Sequence, residues 1–404
     1  MQAVILAAGE GERMHPLTNT RPKVMLPLAN KPILEHIITG IRDAGIEEII
    51  LVVGYRQQIV RDYFGSGDAW GVRIEYTVQD EQLGTGHALW IAKDLLKGRF
   101  LVANGDTIPG HNDWARIAAL KKEAMALFEV EDTKGLGTVE VDGNRVTRIN
   151  EKLDNPPTKL ANAGIYLLNT EIFELLSKTP KSPRGEYEIV DVIQSRVDSG
   201  HVVACITLGS WLHMSYSWDL LEANEVLMAQ TEHKNLGTVE EGAVLKPPVS
   251  IGKNTIIRAN SYIVGPVTIG ENCDIGPNNF LRPSTCIGNN CHIGASVEVK
   301  NCIIMNNSKV PHLTYVGDSV IGEGCNLGAG TKVANLRLDK RNITVNGIDT
   351  GRRKLGVIMG DGVQTGINSS INIGCVLGNG TIVAPGALAT GVIAPRSRIV
   401  RRSR

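Results

Sequence analysis

The stretch Ile251-Gly-Lys-Asn-Thr-Ile-Ile257-Arg-Ala-Asn-Ser-Tyr-Ile263 places an aliphatic residue at every sixth position. The same beat runs from Leu245 through Ile269, Ile275, Leu281, Ile287 and Ile293 to Val299. A helix repeats every 3.6 residues and a simple strand every two, so neither demands an apolar residue at that interval. Small or turn-forming residues follow the aliphatic one, as in Ile269-Gly-Glu-Asn and Ile287-Gly-Asn-Asn. A six-residue period of this kind is the mark of a parallel β-helix, with the aliphatic side chains stacked inside and Gly and Asn turning the corners. The beat slips near Ile304 and again at Ile321. A charged segment, Arg337 to Lys354, interrupts it, and it resumes with Met359, Ile371, Leu377 and Val383.

Upstream of the solenoid, residues 1 to about 215 alternate short apolar runs with helical patterns. Val4-Ile-Leu-Ala, Ile49-Ile-Leu-Val-Val, Phe100-Leu-Val-Ala and Ala126-Leu-Phe-Glu-Val read as strands; Pro32 to Ala44 and Gly86 to Leu96 read as helices. Near-continuous apolar strands of this sort predict an α/β domain with a mostly parallel sheet covered on both faces. A helical pattern from Trp218 to about His233 connects the halves. The expected division is a domain over 1–217, a linker helix over 218–237 and the β-helix over 238–404.

Forty-two basic and forty-two acidic residues give no net charge, which argues against nucleic acid or an anionic membrane as partner. The four arginines of the tail Arg398 to Arg404 read as a solvated end. The opening Met1-Gln-Ala-Val-Ile-Leu-Ala-Ala-Gly has no basic n-region and reads as a buried strand instead of a signal peptide, and no run reaches the roughly 20 apolar residues of a membrane span. Seven cysteines without CxxC spacing predict reduced thiols and a cytoplasmic protein, with Cys273, Cys286, Cys291 and Cys302 at inner positions of the repeat.

The first strand runs into Leu6-Ala-Ala-Gly-Glu-Gly-Glu-Arg-Met14, where two glycines let backbone N–H groups approach a triphosphate and Arg13 can neutralise it. With Arg21-Pro-Lys23, Lys31-Pro32, Gln79-Asp-Glu-Gln-Leu-Gly-Thr-Gly-His-Ala88, Asn104-Gly-Asp106, Gly137, Glu151-Lys152 and Asn162-Ala-Gly164, the region resembles the nucleotidylyltransferases that join a sugar-1-phosphate to a nucleoside triphosphate. The resemblance implies a Rossmann-like nucleotidyltransferase domain. Ala8, Gly9 and Gly11 would cradle the nucleotide and Gln79, Gly84 and Thr85 would read its base. Gly137, Glu151 and Asn162 would position the sugar, Arg13 and Lys23 would stabilise the phosphates, and Asp106 would hold Mg²⁺. Relatives usually carry Asp as second metal ligand where His213 stands in Trp211-Leu-His-Met-Ser; Asp219 belongs to the following helix. Catalysis of this kind is positioning and charge neutralisation, with no protein nucleophile.

Arg282-Pro, Lys300, Pro311-His-Leu-Thr-Tyr-Val-Gly-Asp318, Gly324-Cys-Asn-Leu-Gly-Ala-Gly-Thr331 and Ala334-Asn335 resemble the acetyltransferase half of the bifunctional N-acetylglucosamine-1-phosphate uridylyltransferases. The resemblance implies a left-handed β-helix of hexapeptide repeats that acetylates an amino-sugar-1-phosphate from acetyl-CoA. His312 would be the general base, since imidazole titrates near neutrality. Arg282, Lys300 and Tyr315 would grip the sugar phosphate, and Asn326 and Asn335 the sugar and acetyl carbonyl. Lys340, Arg341 and Ala384 would meet the coenzyme. Leu336, where bacterial relatives have Tyr, and the insertion containing Gly351-Arg-Arg-Lys354 look like the archaeal branch. The implied whole is a homotrimer coupling acetyl transfer to nucleotidyl transfer from UTP or dTTP. The alternatives are an acetyltransferase with a weakened N-terminal half because of His213, a thymidylyltransferase for glucose-1-phosphate, or a non-enzymatic exchange-factor subunit of the same layout. His312 with Tyr315 and Asn335 argues against the last.

Overall fold

The computed structural model describes residues 1–151 and 153–400; Lys152 and the tail arginines Arg401, Arg402 and Arg404 lie outside the described residues. The chain divides into two compact units. Met1–Glu10, Pro22–Met25 and Ile33–His213 form the first; Gly11–Arg21, Leu26–Pro32 and the chain from Met214 onward form the second.

In the first unit the apolar runs become strands because each is buried between neighbours. Among the described residues the sheet has nine strands, in the order Arg73–Val78, Glu48–Val53, Gln2–Ala7, Arg99–Asn104, Leu160–Asn169, Ala124–Glu129, Ala204–Thr207, Arg145–Asn150 and Thr138–Asp142. The first four run parallel, as expected of βαβ units. The other half departs from the expected mostly parallel sheet. Leu160–Asn169 lies antiparallel to both of its neighbours, and Arg145–Asn150 lies antiparallel to Thr138–Asp142 and Ala204–Thr207. An apolar run buried on both faces looks alike in either direction, so its composition does not reveal its sense. The predicted helices form at Ile33–Asp43 and Thr85–Ile91, the second giving way to a 3₁₀ turn, Lys93–Leu95.

The second unit is a parallel β-helix. Its pairings stack three columns: Leu245, Ile263, Leu281, Val299 and Val316; Ile251, Ile269, Ile287, Ile304 and Ile321; and Ile257, Ile275, Ile293 and Val310. The six-residue beat is thus one side of a three-sided turn, and the columns are almost wholly buried. Asn254, Asn260, Asn272, Asn278 and Asn290 turn corners at positive φ, where Asn costs little because its short polar side chain tolerates the left-handed region. Stacking begins with Lys234–Asn235 pairing onto Ser250 and Ile251, four residues before the expected start at Thr238. The connector helix is shorter than its pattern, Asp219–Met228.

Ile287 pairs with Ile304 and Ile304 with Ile321, so two turns lose one residue each at the predicted phase slips. The next partner of Ile321 is Met359. The extra length leaves the coil after Val333, and it contains a small hairpin, Thr344–Val345 against Ile348–Asp349, and buries Ile343 and Leu355.

Cys273, Cys291 and Cys302 are in the stacked interior. Cys286 is not: it faces out between the inward Thr285 and Ile287, and the segment Leu26–Pro32 covers it. The Cys286 thiol donates to Asn30 Oδ1 at 2.7 Å, and Asn30 Nδ2 donates to the Ile287 carbonyl at 2.7 Å. Burial pushes this thiol up to about 12. The other strap, Gly11–Arg21, is fixed on the coil by Arg21, whose guanidinium reaches Glu323 at 3.1 Å and Asp361 at 2.5 Å.

Because the columns are continuous, a cavity in one turn removes contacts from the turns on both sides. Ile275→Ala is expected to destabilise the solenoid by about 2–5 kcal/mol, read from the midpoint of urea unfolding. A shift below about 0.5 kcal/mol would place Ile275 outside the stacked interior.

Candidate active sites in the two units

In the first unit the four parallel strands end along one edge of the sheet, and a crevice beyond the carboxyl ends of such strands is where α/β sheets bind ligands. Ala8 and Gly9 follow the Gln2–Ala7 strand. The Ala8 carbonyl accepts the Tyr55 N–H and Gln82 Nε2, both at 3.1 Å. A Cβ built on Gly54 would lie 2.9 Å from that carbonyl, so only glycine lets the two loops pass. Gly9 faces open space.

Asp106 follows the Arg99–Asn104 strand, and Lys23 Nζ sits 2.7 Å from its Oδ2. The Trp211–His213 strand lies antiparallel to Thr107–Pro109 with His213 opposite Thr107, which brings the imidazole to the same carboxylate. Trp211 stacks on that imidazole with ring centroids 5.0 Å apart. Burial opposes charge on Asp106, but Lys23 and His213 outweigh it and hold its pKa below the ordinary value. Asp219 is the first residue of the connector helix, as expected, and its Oδ2 accepts the N–H groups of Ser215 and Tyr216. Among the described residues no group of three His, Cys, Asp or Glu side chains is placed to hold a metal. One carboxylate suits Mg²⁺ when the remaining oxygens come from water and a bound triphosphate; it does not make a protein cage.

The residues expected to read the base and those expected to position the sugar are each brought together. Gln79 Nε2 donates to the Gly84 carbonyl at 3.1 Å, and Thr85 Oγ1 meets Glu188 Oε2 at 3.3 Å. The Asn162 N–H donates to the Gly137 carbonyl at 2.9 Å, and Glu151 Oε1 would be 2.8 Å from a Cβ on Gly137. Three residues not anticipated tie these groups. Arg184 binds both Glu188, at 2.8 Å, and Glu151, at 3.4 Å; Asn162 Nδ2 donates to the buried Tyr166 hydroxyl at 2.8 Å. No local pattern in the sequence marks them. Gly11 and Arg13 group with the second unit. Gly11 has φ 76°, and the Arg13 guanidinium lies over the Tyr216 ring, 5.9 Å from its centroid.

In the second unit the two shortened turns carry Lys300, His312 and Tyr315 of the predicted acetyl-transfer residues; Arg282 precedes them, and Asn326 and Asn335 follow. Asp318, for which the motif implies no role, is the centre of the group. It is 3 % exposed; its Oδ2 accepts Asn335 Nδ2 at 2.6 Å and its Oδ1 accepts Asn301 Nδ2 at 2.8 Å. Lys300 Nζ lies 3.8 Å from Oδ2. Asn335 Nδ2 also donates to the Tyr315 hydroxyl at 3.1 Å. A carboxylate only accepts, so Asp318 fixes which way the Asn335 amide points and leaves its oxygen for another donor. A Cβ on Gly317 would be 2.6 Å from both Asn335 Nδ2 and the Tyr315 hydroxyl, so the contact requires glycine. Burial raises the Tyr315 phenol above its ordinary pKa, keeping its proton available for donation.

His312 ends the strand Lys309–His312 and is exposed; Tyr315 begins the next strand. They stand on either side of the corner at Leu313, which has φ 50°. Left-handed backbone costs a branched residue about 1 kcal/mol or more. Asn326 is in register with Lys309, three residues along the strand from His312, and Arg282 pairs with Glu298 at 2.9 Å. A cavity of about 730 Å³ opens beside Asp318 and Asn301; the insertion lines it with Lys340 and Arg352–Lys354, and the connector helix with Glu222 and Glu225. Arg341 and Ala384 are not among its walls.

Residues 2–230 match the nucleotidyl transferase family and residues 263–403 the GMPPB C-terminal domain. The chain is 41 % identical over its whole length to the bifunctional protein GlmU of Methanocaldococcus jannaschii, covering 98 % of that protein. It is 40 % identical, over 96 % of its length and 97 % of the relative's, to a bifunctional sugar-1-phosphate nucleotidylyltransferase/acetyltransferase of Sulfurisphaera tokodaii. Among solved structures, a putative glucose-1-phosphate thymidylyltransferase from Bacillus anthracis matches 56 % of this chain and 95 % of its own, with 27 % identity and a TM-score of 0.52.

Proposed function

This chain belongs to the GlmU-type family of bifunctional sugar-1-phosphate nucleotidylyltransferase/acetyltransferases, and from that premise we propose that it acetylates glucosamine-1-phosphate and couples the product to UTP or dTTP. The observation that carries the acetyl-transfer half is the buried Asp318, which gathers Asn335, Lys300 and, through Asn335, Tyr315 at the corner that bears His312. His312 takes a proton from the sugar amine as the nitrogen attacks the thioester carbonyl of acetyl-CoA. The N–C bond forms, the C–S bond breaks and the coenzyme thiol leaves. Asn335, oriented by Asp318, and Tyr315 hold the sugar, with Lys300 and Arg282 toward its phosphate.

The nucleotidyl-transfer half rests on Lys23 and Asp106 at the strand ends. An oxygen of the sugar phosphate attacks the α-phosphorus in line, the bond to the β-phosphate breaks and pyrophosphate leaves. Lys23 neutralises charge on the phosphates. Mg²⁺ would be held by Asp106 together with triphosphate oxygens, adding positive charge where the transition state becomes most negative. Gln79, Gly84 and Thr85 form the base-reading group, and Gly137, Glu151 and Asn162 the sugar-positioning group. His213 beside Asp106 favours one second reading, an acetyltransferase with slow nucleotidyl transfer, because Mg²⁺ prefers oxygen to imidazole.

No helix among the described residues is long and apolar enough to cross a membrane, and all seven cysteines are free. Free, mostly buried thiols support our placement of the protein in the reducing cytoplasm. A homotrimer is the expected assembly. Val244, Tyr262 and Phe280 pair in register along one edge and are 38–41 % exposed, an apolar ridge that a second copy would cover.

Three outcomes are expected. With glucosamine-1-phosphate, acetyl-CoA and UTP supplied and each omitted in turn, His312→Ala should lower free-thiol release by about 100-fold or more, the scale of a lost general base. Pyrophosphate release from N-acetylglucosamine-1-phosphate should stay near wild type; equal loss of both would remove His312 from the chemistry. His213→Asp should raise Mg²⁺-dependent pyrophosphate release, and an unchanged rate would show that the imidazole does not limit metal binding. Light scattering should give a trimer; a monomer at assay concentration would contradict the homotrimer.

A further inference from the structure

Arg184 projects from a tight turn of the first unit, in which the Gly185 N–H donates to the Ser182 carbonyl and the Ser182 N–H to the Glu186 carbonyl, both at 2.8 Å. The chain beyond this turn is laced to the loop that carries Gly84 and Thr85. The Tyr187 N–H donates to the Leu83 carbonyl at 2.8 Å, the Gly86 N–H to the Tyr187 carbonyl at 2.7 Å, and the Ile189 N–H to Thr85 Oγ1 at 3.1 Å. Gly84 has φ 100°, and a Cβ there would lie 2.5 Å from the Tyr187 carbonyl oxygen, so the lacing requires glycine. From this base one nitrogen of Arg184, Nη2, reaches two carboxylates, Glu188 Oε1 at 2.8 Å and Glu151 Oε2 at 3.4 Å. Burial raises the Glu188 pKa above its ordinary value, Arg184 opposes this, and Glu186 and Glu151 push it further up. Glu151 and Glu188 therefore repel each other, and the guanidinium between them is what keeps Glu151 turned inward.

We propose that Arg184 is a positioning residue for nucleotidyl transfer: from a turn fixed to the base-reading loop it holds Glu151 in place for the sugar, so that filling the nucleotide subsite tightens the sugar subsite. The inference rests on the nucleotidyl-transfer reading. The chain of contacts is continuous: Thr85 meets Glu188, Glu188 meets Arg184 and Arg184 meets Glu151. A base seated on Gly84 and Thr85 would hold their loop still and, through Glu188 and the Tyr187 backbone, the turn that carries Arg184. Glu151 is then restrained before the sugar arrives, and less ordering remains to be done when it binds. The side chains of Arg184 and Glu151 are both partly exposed, so their attraction contributes little while water surrounds it. A sugar lying on Glu151 would exclude that water and strengthen the pair. By linkage the sugar phosphate would tighten the nucleotide by the same factor.

The test measures the Kd of N-acetylglucosamine-1-phosphate by calorimetry, with Mg²⁺, in the absence and presence of saturating α,β-methylene UTP, for wild type, Arg184→Ala and Arg184→Lys. The nucleotide should tighten binding of the sugar phosphate to wild type about fivefold or more, the ordinary scale of coupling between sites. In Arg184→Ala that ratio should fall to about one, while Kd without nucleotide stays within about twofold of wild type, since an exposed pair contributes little. Arg184→Lys should recover part of the ratio, because it keeps the charge without the planar fork. The kcat for pyrophosphate release should fall about tenfold or more in Arg184→Ala, the cost of a misplaced sugar. The thermal midpoint should stay within about 2 °C, as for other partly exposed side chains. An unchanged ratio in Arg184→Ala would overturn the proposal. Loss of sugar-phosphate binding without nucleotide would do the same, because Arg184 would then be a substrate contact. Wild type binding both ligands with a ratio near one would overturn the proposal and leave the nucleotidyl-transfer reading standing; wild type binding neither would overturn both.

Discussion

Every turn of the solenoid must return an aliphatic side chain to the same three columns, and this register constrains what the second half of the chain can do. The side chains inside are almost wholly shielded from water, so a displaced turn would exchange a buried isoleucine for a polar neighbour and lose the burial energy of several residues. Corners are equally restricted, because the backbone must pass through the left-handed region, where Asn and Gly are at ease. Variation is therefore confined to the points at which the register is already broken. Ile287 to Ile304 and Ile304 to Ile321 are such turns. Their corners include Leu313 and Asp318 at positive φ, and those two corners flank Tyr315. The strained Leu313 places His312 and Tyr315 on adjoining faces, an arrangement that a relaxed six-residue step would not give.

The two sites use their carboxylates in opposite ways. Asp106 is surrounded by positive charge: Lys23 at 2.7 Å and His213 beside it hold it ionised despite burial. In the proposed nucleotidyl transfer its anionic form would be ready for a cation that arrives with the nucleotide. Asp318 is met mostly by neutral amide donors, Asn301 and Asn335, with Lys300 farther off at 3.8 Å. There the carboxylate acts as an orienting acceptor. Charge-assisted hydrogen bonds of this kind are stronger and more directional than neutral ones, so the Asn335 amide has one stable orientation before any substrate binds.

Much of this could be read from the sequence where function or packing imposes a short-range pattern. The aliphatic beat specified the columns and both shortened turns; Asp106, Lys23 and the strings around Gln79 and Asn162 stood in contiguous motifs. What could not be read depends on partners distant in the chain. Arg184 reaches Glu151 and Glu188 with no local pattern to announce it. The Leu160–Asn169 strand has the apolar composition expected of a parallel strand and runs antiparallel to both neighbours. Cys286 fits the repeat as an inner residue by size, yet it faces outward because Asn30, from far upstream, supplies its cover. Asp318 was visible in the motif, but its role appears only when Asn301 and Asn335 are seen to converge on it from adjacent turns.

The insertion is the clearest case of a segment whose stability and chemistry are separable. Ile343 and Leu355 are almost completely buried, and the Ile343 and Arg352 backbones hydrogen-bond across the segment at 2.9 Å, which suffices to hold it against the coil. Of its cations Arg353 adds to that anchoring, its Nε donating to the Lys340 carbonyl at 3.2 Å. A surface segment selected only to fold would disperse or pair its charges, since repulsion among unpaired neighbours opposes the compact state. Here the pair Arg337 and Asp339 lies outside the cavity wall, and the cations of that wall share it with the carboxylates of Glu222, Glu225 and Asp318.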